Sequence, residues 1–430
     1  MKLLERELKN SFMLWEKVTR LIPAGTQTLS KAPNQFVEGV YPMFIQRGKG
    51  SHVWDVDGNE YIDYPCSLGA ILLGYSYPRV NEAIKKQLEE GTVFSLMHPL
   101  EAEIAEMLTA VIPCAEQVRF AKTGSEATTA AVRIARAATG RTKIAYCGYH
   151  GWHDWYSVTT TRNKGILPVH KEYIVPFEYN NIASVEKVFA ENPGQIAALI
   201  LEPAALQAPE NNFLQKLRDI ATKNGALLIF DEIVTGFRFA KGGAQERYGV
   251  TPDLAAFGKA VANGLPLAVV AGKKQFMKEC EEVFFSSTFG GETLSLAAAR
   301  AVLQEMQEKP VAEQLWKQGE KLQNGFNQLA KDKGLNATLI GFPARHFLVF
   351  KDAAGEASML LKALFWQETI QRGILFGNAQ MISFSHSDAD IQQTLAACDE
   401  ALEYVKKAVE SGNPISFLKG KLPKEIFRKP

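Results

Sequence analysis

From about residue 100 onward, short apolar runs alternate with longer stretches of helical spacing. The runs are "QVRFAK" (117–122), "KIAYCG" (143–148), "AALILEP" (197–203), "ALLIFDE" (226–232) and "LAVVAG" (267–272). This alternation predicts an α/β fold with a mostly parallel sheet and helices on both faces. Before residue 100 the pattern differs. Residues 5–22 have helical apolar spacing and end at Pro23-Ala24-Gly25, which predicts an amphipathic helix. Residues 43–64 alternate apolar and polar positions around Arg47-Gly48-Lys49-Gly50 and Asp57-Gly58, a pattern of short strands and a hairpin. After residue 295 the chain is rich in helix signals, with a small α/β region over 335–385 and a closing helix from "DADIQQ". The expected organisation is a small domain built from residues 1–65 and 311–430, and a large domain over 66–310.

Composition narrows the class. The chain has 430 residues, is 46% hydrophobic and 22% charged, and carries a formal net charge of +1. That is a globular composition, and it gives no electrostatic reason to expect nucleic acid or an anionic membrane as partner. The five cysteines (Cys66, Cys114, Cys147, Cys280, Cys398) are scattered and form no CxxC pair. They point away from zinc ribbons and disulfide scaffolds and toward a reducing cytoplasm. No apolar stretch is long enough for a membrane-spanning helix.

The chemistry gathers where the apolar runs end. In open α/β sheets, ligands sit beyond the carboxyl ends of the strands. Four such ends carry polar or aromatic residues: "KTGSEAT" (122–128), "GYHGWHDWY" (148–156), Glu202-Pro203 and Asp231-Glu232. In "TGSEAT" a strand meets a helix through Gly124 and Ser125. The free N–H groups there fit either a phosphate or an ordinary helix cap. Neither a P-loop nor a GxGxxG fingerprint is present. Lys259, in "AFGKAVANGLP", stands among small apolar residues, where an amine is suited to Schiff-base chemistry. An imine-forming lysine, a phosphate cup and a buried carboxylate together suit pyridoxal 5'-phosphate. Asp231 would then face the pyridine nitrogen, with Glu232 on the opposite face of the strand end. Tyr149 would cover the cofactor, with His150 beside it among the cofactor-binding residues. His150 and His153 lack a third ligand at matching spacing, so no metal is expected.

These segments resemble the class III, fold type I pyridoxal-phosphate aminotransferases, within them the branch of glutamate-1-semialdehyde 2,1-aminomutase. The resemblance runs from about residue 21 to about 405. It is carried by "RGKGSHVWDVDGNEYIDY", "KTGSEATTAAVRIARAATGR", "CGYHGWHDW", "LLIFDEIVTGFRF", "TPDLAAFGKAVANGLP" and "SSTFGGETLSLAAARA". It implies a homodimer with shared active sites, and a ping-pong transamination with glutamate as the expected donor. It implies Lys259 as the Schiff-base lysine and proton shuttle, and Asp231 at the ring nitrogen. It also implies Gly124 and Ser125 at the phosphate, Tyr149 stacked on the ring, Ile233 behind it and Glu202 on the cofactor hydroxyl side. Thr288 would reach the phosphate of the neighbouring subunit. The departures bear on substrate. Lys31 replaces an arginine that grips the substrate carboxylate in the aminomutase, Asn378 replaces an acidic residue, and Trp152 and Trp155 enter the gating region. Aromatic and amide side chains suit a polyhydroxylated acceptor, so a keto- or aldehydo-sugar or a related polysaccharide precursor is expected. An intramolecular aminomutase is the alternative. Arg238 and Arg345 are candidates for a substrate carboxylate, or equally for structural ion pairs.

Overall fold

The computed structural model describes residues 6–424. Within them the chain forms two units. One gathers the chain up to Tyr77 and again from Gln314; the other spans Pro78–Glu313.

In the first unit, the helix Lys9–Leu21 precedes three short strands, β1 (Ile45–Lys49), β2 (His52–Asp55) and β3 (Glu60–Asp63). β1 to β3 form an antiparallel meander. Asp57-Gly58 makes the β2–β3 turn expected from its sequence, because glycine there takes a φ of 86° at no steric cost.

The second unit holds a seven-stranded sheet. Its strands are β4 (Gln117–Ala121), β5 (Lys143–Cys147), β6 (Ile174–Pro176), β7 (Ile196–Leu201), β8 (Leu227–Asp231), β9 (Leu254–Phe257) and β10 (Ala268–Gly272), in the order β4-β10-β9-β8-β7-β5-β6. β5, β6, β7, β8 and β9 are parallel, and β10 pairs antiparallel with both β9 and β4. Six strands therefore point one way and β10 alone runs against them. β7, β8, β9 and β10 are buried throughout, as near-continuous apolar runs covered on both faces must be. The helix Gly124–Thr139 lays Ala127, Ala130, Ala131, Ile134 and Ala135 into this core. Small side chains on that face let the helix sit close to the sheet.

The rest of the first unit comes from the C-terminal part of the chain. β11 (Ala337–Phe342), β12 (Arg345–Phe350) and β14 (Ala379–Met381) form an antiparallel sheet. β13 (Ile374–Leu375) pairs parallel with β3 and so ties both ends of the chain into one sheet. The closing helix is Asp388–Glu410. Two strands of the large sheet were not marked in the sequence, β6 and β9. "LAAF" is only four residues, all apolar, and carries no period that separates strand from helix.

Candidate active site

Five of the six co-directional strands end in residues singled out above. β4 leads into Thr123-Gly124-Ser125, β5 into Tyr149 and His150, β7 into Glu202, β8 ends on Asp231, and β9 leads into Gly258-Lys259. The unmarked β9 is what brings Lys259 to the same edge as the others.

Asp231 is buried, and its neighbour is His150, also fully buried. His150 Nδ1 lies 2.8 Å from Asp231 Oδ2, and His150 Nε2 lies 3.1 Å from the carbonyl oxygen of Cys147. A carbonyl only accepts, so Nε2 must donate. Nδ1 is therefore the nitrogen that meets the carboxylate, and the bond between them gives each of two buried polar groups a partner in an apolar strand end. The second Asp231 oxygen accepts from the Ile233 N–H at 3.1 Å. Trp155 stacks on the His150 ring at 6.2 Å, and Tyr156 meets it edge-on at 5.6 Å. Packing therefore fixes the imidazole orientation on two sides.

Glu232 goes elsewhere, as adjacent strand residues must. It is fully buried and accepts from the Thr235 hydroxyl and from the N–H groups of Ala244 (2.8 Å) and Gln245 (2.9 Å). Burial lifts its carboxyl above the ordinary range, against those donors. It anchors the loop that follows β8.

At the end of β4, Thr123 and Glu126 form a reciprocal capping box. That satisfies the cap itself. It leaves the N–H groups of Gly124 and Ser125 with no acceptor among the described residues. Gly124 is also closely packed: a Cβ there would sit 3.0 Å from Ile233 Cδ1, so the isoleucine would have to shift. The same Ile233 atom lies 3.1 Å from where a Cβ on Gly258 would be. Ile233 thus packs between the ends of β4 and β9. The Ser125 hydroxyl accepts from the Trp152 N–H at 3.2 Å, joining the β4 and β5 loops. Gly151 permits this contact, since a Cβ there would meet Ser125 Oγ at 2.4 Å.

Lys259 is half-buried and has a φ of 43°. A non-glycine residue in the left-handed region is strained, and such strain concentrates at functional positions. Tyr149 is 51% exposed, held edge-on by Tyr156 at 5.5 Å. Burial, and then the Asp231 charge, raise its phenol pKa.

These features fit pyridoxal 5'-phosphate. The open N–H pair at a helix N-terminus suits a phosphate, the buried Asp231 suits a protonated ring nitrogen, and the half-exposed ring of Tyr149 offers a planar ligand an aromatic face. Glu202 is half-buried and Thr288 is exposed in the loop after Phe285. Three sequence candidates belong to the other unit. There Lys31 donates to the Ser67 hydroxyl at 3.3 Å, Asn378 accepts from Lys362 at 3.5 Å, and Arg345 packs over the Phe347 ring at 5.2 Å. Arg238 is fully buried in the second unit. Sequence reasoning missed the double bond made by His150, the packing by Trp155 and Tyr156, and the role of Gly151. It also missed Glu292, which caps the helix Thr293–Glu308 and pairs with Lys122 at 3.0 Å. Only the glycine in "YHGW" was a visible signal.

Residues 35–341 match the sequence family described as Aminotransferase class-III. The chain is 36% identical over 411 residues to the 3-aminobutyryl-CoA aminotransferase of Cloacimonas acidaminovorans, covering 93% of this chain and 98% of that protein. It is 37% identical over 423 residues to the glutamate-1-semialdehyde 2,1-aminomutase of Desulforamulus reducens, covering 92% and 98%. Among solved structures, the FumI protein of Sphingopyxis sp. MTA144, in its PLP internal aldimine form, superposes with a TM-score of 0.88 at 27% identity, over 94% of this chain and 99% of that one. Family, relatives and fold agree, and the chain belongs to the class III aminotransferases, with the fold type I architecture.

Proposed function

We propose that this chain transfers an amino group from L-glutamate to a carbonyl acceptor, with Lys259 and Asp231 as its catalytic residues. The observation that carries the reading is the buried His150–Asp231 pair at the same sheet edge as Lys259. The cofactor is pyridoxal 5'-phosphate; when bound, it supplies an electron sink for the carbanion left as a proton leaves the substrate carbon. Lys259 moves that proton, as a general base and then a general acid. Asp231, oriented by its hydrogen bond with His150, holds a proton on the ring nitrogen. The N–H groups of Gly124 and Ser125 bind the phosphate, Tyr149 covers the ring, and Ile233 packs behind it. Glu202 lies on the hydroxyl side.

A homodimer with shared sites is part of the proposal. Leu96, Met97 and Phe284 are 86%, 84% and 85% exposed, which gives a neighbouring subunit apolar side chains to cover. Thr288 sits in the same loop as Phe284 and would reach the neighbouring subunit's phosphate. The two units correspond in this reading to the small domain and the large cofactor-binding domain. A cytoplasmic setting is consistent with five free cysteines. Among the described residues, no helix is long and apolar enough to cross a membrane.

For the acceptor, we favour a keto- or aldehydo-sugar or related polysaccharide precursor. Support comes from the exposed indole of Trp152, the amide of Asn378, and Lys31 where the aminomutase has an arginine. Lysine is a point charge without the bidentate fork for a carboxylate. The second reading, an intramolecular aminomutase, is favoured by relatives of that name at 35–37% identity over more than nine-tenths of the chain. The test is the visible spectrum of the purified holoenzyme before and after L-glutamate. Bleaching with release of 2-oxoglutarate supports transamination. A band that persists with glutamate but bleaches with glutamate-1-semialdehyde supports the aminomutase.

A further inference from the structure

A cavity of about 370 Å³ is walled in part by the loop after β5, yet neither Asp231 nor Lys259 lines it. One wall is a single face of the helix Gly124–Thr139. Thr129, Arg133 and Arg136 lie there at i, i+4 and i+7. The other side brings Trp152 and Trp155 from the loop after β5 and His170 from the turn Pro168–Tyr173.

The charges in this cavity are not balanced. Arg133 donates to the Phe284 carbonyl and Arg136 Nε to the Thr142 carbonyl, each at 2.8 Å. Neither arginine pairs with a carboxylate among the described residues. Asp154 is the one carboxylate in the lining, and it makes no ion pair among them. Burial, and then the nearby Arg133 charge, lower the Arg136 pKa. The aromatic walls are preset. Trp155 Nε1–H donates to Thr129 Oγ1 at 2.9 Å, so its indole is held in place. Trp152 is 70% exposed and meets His153 edge-on at 4.9 Å, leaving ring surface open.

Guanidinium forks bind phosphate oxygens in a bidentate manner, and indole faces take planar rings or apolar sugar faces. The volume lies in the range of small-molecule sites. We infer that this cavity binds a phosphorylated, ring-bearing anion the size of a nucleoside diphosphate, with Arg133 and Arg136 on the phosphates and Trp152 against the ring. Two sources supply that chemistry. One is the carrier half of a nucleotide-activated acceptor, which rests on the transamination reading above. The other is a free nucleotide acting as an effector. The Trp152 N–H to Ser125 bond ties the cavity wall to the strand-end cluster in either case.

The test uses the pyridoxal-phosphate-loaded enzyme, so that the phosphate cup at Gly124 and Ser125 is filled. ADP and, separately, inorganic pyrophosphate are titrated while tryptophan fluorescence and heat are followed. ADP should bind saturably and quench fluorescence, and pyrophosphate should bind more weakly. Arg133→Gln and Arg136→Gln should each weaken ADP by about tenfold, and Trp152→Ala should remove the advantage of ADP over pyrophosphate. Arg133 is exposed, so its variant keeps the test open if Arg136→Gln does not fold. Absence of saturable ADP binding, or unchanged affinity in Arg133→Gln, overturns the inference. Because binding is read without turnover, this result is separate from the identity of the amine donor. If ADP alters the rate at which an amino donor bleaches the holoenzyme, the ligand is an effector; if it leaves that rate unchanged, the cavity serves the acceptor's carrier.

Discussion

Among the described residues, two histidine–aspartate pairs stand out, one in each unit, and they differ in what surrounds them. His150 and Asp231 are both buried, and the imidazole is closed in by Trp155 and Tyr156, with an acceptor on each nitrogen. His52 is partly open to solvent. Its Nε2 lies 3.0 Å from Asp390 and its Nδ1 2.9 Å from Glu60. Asp390 is at the same time the capping acid of the helix Asp388–Glu410 and accepts from Ser51 at 3.0 Å. The open cluster ties β2, β3 and a helix together and is a stability device. The closed pair ties one loop to one strand end, with both side chains buried. A buried ionisable pair that fastens so little chain is better explained by a ligand than by folding.

Four substitutions sharpen this contrast. Lys259→Ala has the largest expected effect: with Lys259 as the proposed Schiff-base lysine, turnover should be abolished and the visible band of the holoenzyme should disappear. Asp231→Asn should lower the rate by about 10²–10³-fold, the cost of removing a charge aimed at the reacting system, while circular dichroism stays that of the folded protein. Near-normal turnover would mean that the carboxylate serves only His150. His150→Asn should reduce the rate by roughly tenfold, or about 1.4 kcal/mol in the barrier. It acts through Asp231, so the pH–rate profile should change along with kcat. An unchanged profile with a lower Tm alone would make His150 structural. His52→Ala should do the opposite, lowering stability by about 1 kcal/mol, a Tm loss of a few degrees, with activity per folded molecule retained.

The open cluster also predicts a pH dependence of stability. The Asp390 hydrogen bond raises the His52 pKa, against burial. Its contribution is fully present below the ordinary imidazole value of about 6.5 and is lost as pH rises through the raised folded value. Burial pushes Asp390 up, but His52, Ser387 and Ser51 together hold it well below the usual carboxylate range. That contribution is present above about pH 4 and is lost as pH falls through the lowered folded value. Wild-type Tm should therefore fall relative to His52→Ala on the alkaline side of neutrality, and the two curves should converge there. Parallel curves across that range would remove His52 as the titrating group.

Much of the fold was legible because its strands are apolar runs bounded by turn residues. β4, β5, β7, β8 and β10 all fall on such runs. β9 was not, since "LAAF" is short and featureless, and the reversed direction of β10 leaves no trace in a single strand's side chains. That chemistry would gather at strand ends was legible from "TGSEAT" and "FDE". The partners of those residues were not. Asp231 meets His150 across 81 positions of sequence, and Asp390 meets His52 across 338. No local period encodes such contacts. Glu232 was legible only as the other face of a strand; the loop N–H groups that hold it come from Ala244 and Gln245, inside a segment with no distinctive pattern.

The central claim is that Lys259 is the residue that takes the cofactor. The most direct measurement is reduction of the pyridoxal-phosphate-loaded enzyme with borohydride, followed by proteolysis and mass spectrometry. A phosphopyridoxyl group on Lys259, absent from Lys259→Ala, is the expected result. The label on another lysine, or none after full reconstitution, would contradict the account.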